Sequence, residues 1–275
     1  MSTSERVGDE VVTAKHPAPF TDVIIERFAH IVGEYVAERE TKSVQILDPF
    51  AGIGGIHKIP GLLGPVSVAV ETVGVEIEEN WANAHPLTLV GDATALPFVD
   101  DSFDFVMTSC CYGNRMADHH DAKDDSKRIT YRHCYGEELQ ENNAGMMQWT
   151  DAKYKTLHRK AWMEARRVLK PDGIFVLNIS NHIRKGKIMR VVEWHLATLL
   201  DMGLSVEYVE RIHTPRMGFG QNGQLRVNHE HIIVMHNSDE VLLKSGPTAL
   251  QWEEWVLTAT PEALFCTQDK LKERG

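Results

Sequence analysis

Apolar positions recur every three or four residues in some stretches of the chain and every second residue in others. The first period predicts helices and the second half-buried strands. Val23, Ile24, Phe28, Ile31, Val32 and Val36 make one face of a helix from about Thr21 to Ala37, with Thr21 placed to cap it. Val44 to Leu47 then reads as a buried strand that ends in Asp48 and runs into the small-residue turn Ala51-Gly52-Ile53-Gly54-Gly55. Pro60 and Pro65 keep any helix after it short. Further strands are expected at Thr72–Glu76, Leu87–Val90, Asp104–Thr108 and Ile174–Ile179, with helices near 78–84, over Tyr154–Leu169 and over Ile188–Met202. Pro171-Asp172-Gly173 is the expected stop of the second of these helices. Leu204–Ile212 and His231–Met235, joined by a loop rich in glycine and asparagine, predict an antiparallel pair.

Strand and helix alternate through most of the chain. That order predicts an α/β fold, a Rossmann-like, doubly wound and mostly parallel sheet with a late antiparallel strand. In such sheets ligands bind at the carboxyl ends of the strands, and Asp48, Glu76, Asp92 and Ser109 all fall there. A flexible lead over residues 1–15, one domain over 16–237 and a helical tail over 238–275 complete the expected organisation. Residues 113–150, polar, aromatic and nearly aperiodic, are too long for a simple connection and read as an active-site lid.

Composition narrows the class. The chain has 275 residues, 43% of them hydrophobic, enough for one substantial core. It has no apolar run of membrane-spanning length and no secretion signal, so no membrane partner and a cytoplasmic location are expected. The four cysteines are unevenly placed, two of them adjacent at Cys110 and Cys111, which favours reduced thiols over a disulfide framework. Net charge is −10, which opposes general adhesion to nucleic acid but leaves room for local basic patches.

Glycine lets backbone approach a ligand closely, and an acid at the strand end suits a ligand bearing an amino group better than a pyrophosphate. Asp48-Pro49-Phe50-Ala51-Gly52-Ile53-Gly54-Gly55 resembles the cofactor loop of class I S-adenosylmethionine-dependent methyltransferases. The resemblance runs from His16 to about His236. It implies S-adenosyl-L-methionine as cofactor, with Asp48 and the Gly52 to Gly54 backbone around its methionine part and Phe50 and Ala51 among the other cofactor contacts. Glu76 would accept from the ribose hydroxyls, Asp92 and Ala93 would meet the adenine, and Ile77 with Trp81 would wall it.

Thr108-Ser109-Cys110-Cys111-Tyr112 resembles the motif of DNA amino-methyltransferases, in which Asp, Asn or Ser precedes Pro-Pro and an aromatic. Ser109 and Tyr112 match, whereas Cys110 and Cys111 replace both prolines. The resemblance implies methyl transfer to an exocyclic amine of cytosine or adenine in DNA, with Ser109 and the residue 110 carbonyl as acceptors and Tyr112 stacked on an extruded base. The segment His16-Pro17 with its helix resembles the piece that packs beside the cofactor in the same enzymes. Expected substrate contacts are Asn114, Arg115, Lys127 and Arg128 on the lid, Arg184 and Lys185 after the Ile174 strand, and Arg216 in the late loop. Lys123, Arg132, Lys187 and Arg226 belong to the same basic groups.

Other readings remain open at this stage: methylation of RNA guanine or of a small molecule, a cysteine-dependent carbon-5 pyrimidine methyltransferase using Cys111, and a catalytically silent cofactor-binding protein. Cys110, Cys111, His119, His120, His133 and Cys134 are metal-type ligands, but without C-x-x-C spacing no metal is expected.

Overall fold

A computed structural model describes residues 16, 20–64, 67–113, 139–184, 186–214 and 227–238. The first helix, α1, spans Asp22–Glu38 and buries Ile24, Ile25, Phe28, Ala29, Ile31 and Val32. Two expectations differ here. Val23 lies on the exposed side, because the buried stripe is centred on Phe28 and Val32, and the Thr21 side chain makes no capping bond. The Thr21 carbonyl instead accepts from the amides of Ile24 and Ile25.

Strands β1 (Ser43–Asp48), β2 (Ala69–Glu76), β3 (Thr88–Val90), β4 (Phe103–Ser109) and β5 (Leu169–Ile179) follow in sequence. Between them lie a 3-10 turn at Gly55–Lys58, the short helices α2 (Ile59–Leu62) and α3 (Glu79–Ala82), and the long helix α4 (Ala152–Val168). After β5 come a small hairpin of β6 (His182–Arg184) and β7 (Lys187–Met189), then helix α5 (Val191–Asp201). Strands β8 (Ser205–His213) and β9 (His229–His236) close the sheet. Ile188 and Met189, expected inside a helix, are therefore strand residues of the hairpin, which turns at Gly186 with φ of 71°. Pro171-Asp172-Gly173 does not stop α4, which has already ended at Val168; it forms an irregularity inside β5, with Asp172 at φ 59°.

The sheet has seven strands in the order β3-β2-β1-β4-β5-β9-β8. Strands β1 to β5 pair in parallel, and β9 runs antiparallel to both β5 and β8. This is the doubly wound, mostly parallel sheet with a late antiparallel strand that the sequence predicts. Each central strand is buried on both faces, as parallel sheets require. On β5, Phe175, Leu177 and Ile179 pack with Trp162 and Leu196 of α4 and α5, while Ile174 and Val176 pack with Phe28 and Val32 of α1. The strand order reverses between β1 and β4, so the loops leaving those two strands face each other across a crevice.

Candidate active site

The β1 loop is shaped by carboxylates. Asp48 Oδ1 accepts the Phe50 amide at 3.0 Å, and Glu76 Oε2, at the end of β2, accepts the Gly52 amide at 2.9 Å. Gly52 and Gly54 have φ of 52° and 82°, a region L side chains rarely enter. A Cβ on Gly52 would also lie 3.1 Å from His16 Nε2, and one on Gly54 only 2.7 Å from the His85 side chain. His16 in turn packs its ring edge on Trp81, centroids 4.3 Å apart. The glycines therefore let the rings of the chain's lead and of the β3 approach close over the loop.

Two cavities of about 280 Å³ and 270 Å³ lie over this loop and share His16, Phe20, Phe50 and Ser109 as walls. The first is bounded at one end by Glu76, Ile77, Trp81, Asp92 and Ala93, and at the other by Ser109, Cys110, Cys111 and Tyr112. The second is lined by Ala51, Gly52 and Gly54. His16, Phe50, Glu76, Ile77, Asp92, Ala93 and the whole Ser109–Tyr112 turn are thus brought to one place. Asp48 is different. It is fully buried beneath the loop and lines neither cavity. Its Oδ2 and the Thr108 Oγ1 beside it meet no partner in hydrogen-bond geometry, although the hydroxyl favours the charged form somewhat. Burial above all, and then the nearby Glu76, push the Asp48 carboxyl up to about 7.

The cavity also contains residues that the local patterns did not point to. The returning end of the 113–150 segment lies across the acid-lined end: Asn142 donates to Asp92 Oδ2 at 3.1 Å, and Asn143 and the Gln140 amide donate to Glu78 Oε1 at 2.7 and 2.9 Å. The segment's two ends meet where the Trp149 amide donates to the Gly113 carbonyl at 2.9 Å. Any side chain on Gly113 would strike the Trp149 backbone.

At the opposite end, Asn178 at the end of β5 and Glu230 at the start of β9 form a buried polar cluster with the Ser109 turn. The Asn178 amide lies 2.7 Å from Glu230 Oε2 and 3.1 Å from both Ser109 Oγ and Tyr112 Oη. Contact with a carboxylate assigns this atom as nitrogen, and with two hydrogens it serves at most two of the three acceptors at once. Asn178 Oδ1 is buried with no partner. Because β9 is antiparallel to β5, its first residues sit at the ligand-bearing edge. That is the signal by which Glu230 could have been found.

The cysteine thiols are not activated. Cys110 is buried and held well above its ordinary value, first by burial and then by Cys111. Cys111, part-exposed where it lines the cavity, is pushed up to about 12 by burial of its thiol and then by Glu76. Both stay as neutral thiols near pH 7, the wrong state for nucleophilic addition to a pyrimidine.

Cys110, His158 and His195 bring their ligand atoms within 4.8 Å of one another. His195 has no lone pair to give. Its Nδ1 is 3.0 Å from the Trp162 indole nitrogen, which can only donate, so the proton of the neutral ring sits on Nε2. Two remaining ligands do not make a zinc site.

Of the expected substrate contacts, Asn114, Arg115, Lys127, Arg128, Lys185 and Arg216 lie outside the described residues, as do Lys123, Arg132, Arg226, His119, His120, His133 and Cys134. Arg184 is described; it sits in the β6–β7 hairpin opposite Lys187 and does not line either cavity.

No family model matches the chain, and no curated protein does. Among solved structures, a Listeria monocytogenes protein described as a class I S-adenosylmethionine-dependent methyltransferase is 16% identical, with a TM-score of 0.48, covering 83% of this chain and 62% of that one. The chain thus spans less than two thirds of that protein's length. A SAM-dependent methyltransferase from Methanosarcina mazei is 13% identical, with a TM-score of 0.46 and coverage of 81% and 100%. The [4+2]-cyclase SpnF is 14% identical, with a TM-score of 0.45 and coverage of 77% and 80%. At such similarity, chemistry has to rest on the site's own residues.

Proposed function

We propose that this protein is an S-adenosylmethionine-dependent methyltransferase acting on an exocyclic amine of cytosine or adenine in DNA. The observation that carries the reading is the shared cavity, with carboxylates and an apolar wall at one end and a hydroxyl, a phenol ring and a buried amide–carboxylate pair at the other.

The donor end suits the cofactor's chemistry. Glu76 lends one oxygen to the Gly52 amide and the other to the Glu78 amide, and its remaining acceptor capacity, on the cavity wall, would meet a ribose hydroxyl. Ile77 and Trp81 offer flat and apolar surface to a purine, and Asp92 an acceptor for its amino group. Phe50 and the Gly52–Gly54 backbone border the space for the methionine part. S-adenosylmethionine supplies a methyl group carried on a positively charged sulfonium.

At the acceptor end, Tyr112 provides a ring for stacking, and Ser109 Oγ and the Cys110 carbonyl would accept from an amine so that its lone pair faces the donor end. Transfer to an amine releases a proton. The Glu230 carboxylate lines the same cavity and would take it directly or through a water, with the Asn178 amide orienting the carboxylate rather than carrying the proton. Basic residues of the 113–150 and 213–228 segments would contact phosphates.

The reading is tested by incubating the protein with cofactor labelled on the methyl group and, separately, duplex DNA, RNA and free nucleosides, then digesting and identifying the labelled base. N4-methylcytosine or N6-methyladenine in DNA is expected. Label only in RNA or nucleosides overturns the substrate, label on carbon 5 overturns the amine chemistry, and cofactor binding without transfer to any pool overturns the enzyme.

A further inference from the structure

Behind the reacting turn lies a line of side chains with no surface exposure: Trp162 on α4, His195 on α5 and Tyr154 on α4. Its hydrogen bonds have a single direction. The Trp162 indole donates to His195 Nδ1 at 3.0 Å, so His195 Nε2 carries the proton and donates to Tyr154 Oη at 2.8 Å. The tyrosine's own proton is left for the Cys111 carbonyl, 2.7 Å away. Burial and the neighbouring His158 hold His195 neutral, which keeps this tautomer in place across the physiological range. Next to the line, His158 Nδ1 donates to the Tyr154 carbonyl at 2.9 Å, and its ring stacks on Phe50, centroids 5.6 Å apart.

The turn that receives this bond, Ser109-Cys110-Cys111-Tyr112, has no proline and so no fixed φ of its own. We propose that Tyr154 is the positioning residue of the reacting turn: its hydroxyl, aimed by His195 and Trp162, holds the Cys111 carbonyl and thereby fixes Ser109 and Tyr112 for transfer. The inference rests on the transferase reading above. Tyr154 does not meet substrate. It acts through a backbone carbonyl that sits between the two residues that do, doing by a side-chain bond what a ring-closed residue would do covalently.

Tyr154→Phe keeps the ring packing and removes only the O–H. Expected is a fall in kcat of about 10- to 100-fold, the scale on which small misplacements act, with cofactor affinity and KM unchanged within about 2-fold and faster amide exchange confined to residues 109–113. Equal kcat and exchange in variant and wild type would overturn the proposal, and so would a loss of cofactor binding that matched the loss of turnover. His195 gives the independent check. His195→Gln can still accept from Trp162 and donate to Tyr154, so it should retain most of the turnover, whereas His195→Leu should behave like Tyr154→Phe. Identical behaviour of the two His195 variants would overturn the relay, also where Tyr154→Phe fails to fold. Should the wild type transfer methyl to no substrate, the transferase reading fails by itself, and exchange at 109–113 in the cofactor-free protein decides whether Tyr154 holds the turn.

Discussion

The two ends of the cavity are built in opposite ways. The donor end, with the loop cavity beside it, is local: Gly52, Gly54, Glu76, Ile77, Trp81 and Asp92 come from three successive strand ends and the turns that leave them, and Glu76 reaches back to the Gly52 amide to bind the first two together. The acceptor end is assembled from far along the chain, with Ser109 at the end of β4 and Tyr112 in the turn after it, Asn178 from β5, Glu230 from β9, and support from Tyr154 and His195 on two helices. A local site tolerates the loss of one member with a graded loss of affinity. A network whose members share one amide and one buried carbonyl should fail more sharply, because each removal strands a polar partner away from water.

The largest expected effect lies at the acceptor end. Tyr112→Ala should lower single-turnover methyl transfer by about 100-fold or more while leaving the cofactor dissociation constant within about 2-fold, since it removes a group that positions only the acceptor. Full turnover in this variant would remove the stacking role. Next comes the donor end. Glu76→Ala should raise the cofactor dissociation constant by about 10- to 100-fold and Asp92→Ala by about 10-fold, as expected for hydrogen bonds to a charged group. Normal affinity in both would place the cofactor elsewhere.

The ends also differ in their response to pH. His158 and His195 behind the acceptor end and His231 in β9 have values pulled down by burial, to about 4 for His158 and about 3 for His231. Groups with lowered values contribute stability above the ordinary histidine range that is lost as pH falls, so the share of unfolding free energy that these rings supply should decline from about pH 6.5 towards pH 4. Proton NMR of the imidazole rings in the folded protein checks it, and rings that titrate near pH 6.5 would contradict neutral buried histidines. Asp48 under the donor loop has the opposite sign. Its raised value means stability present below about pH 4 is lost as pH rises through about 7. Asp48→Asn, which keeps an acceptor for the Phe50 amide, should stabilise the cofactor-free protein at pH 8 by on the order of 2 kcal/mol and much less at pH 4. An equal shift at both pH values would show that ionisation of Asp48 is not what costs stability. The smallest effect is expected at Cys111→Ser, where turnover should stay within about 3-fold because the thiol is not ionised; complete loss would revive the covalent mechanism.

The same contrast explains what could be read in the sequence. The strand ends and their acids follow from short patterns, and the strand order reversal at β1 places their loops together. Periodicity set Val23 on the wrong side of α1 and took Ile188 into a helix, because an apolar residue beside a helix start looks alike in a strand or a helical turn. Asp48 was legible as a strand-end acid but not as a buried loop anchor, since its depth depends on how Thr108 and Glu76 close over it. Asn178 and Glu230 are paired across neighbouring antiparallel strands, and Tyr154, Trp162 and His195 across two helices; no spacing within one segment encodes these meetings.

Calorimetric titration of S-adenosylmethionine into wild type, Glu76→Ala and Tyr112→Ala tests the divided cavity most directly. The account predicts saturable one-to-one binding that is weakened by Glu76→Ala and unaltered by Tyr112→Ala. Absence of binding to the wild type, or equal weakening in the two variants, would contradict it.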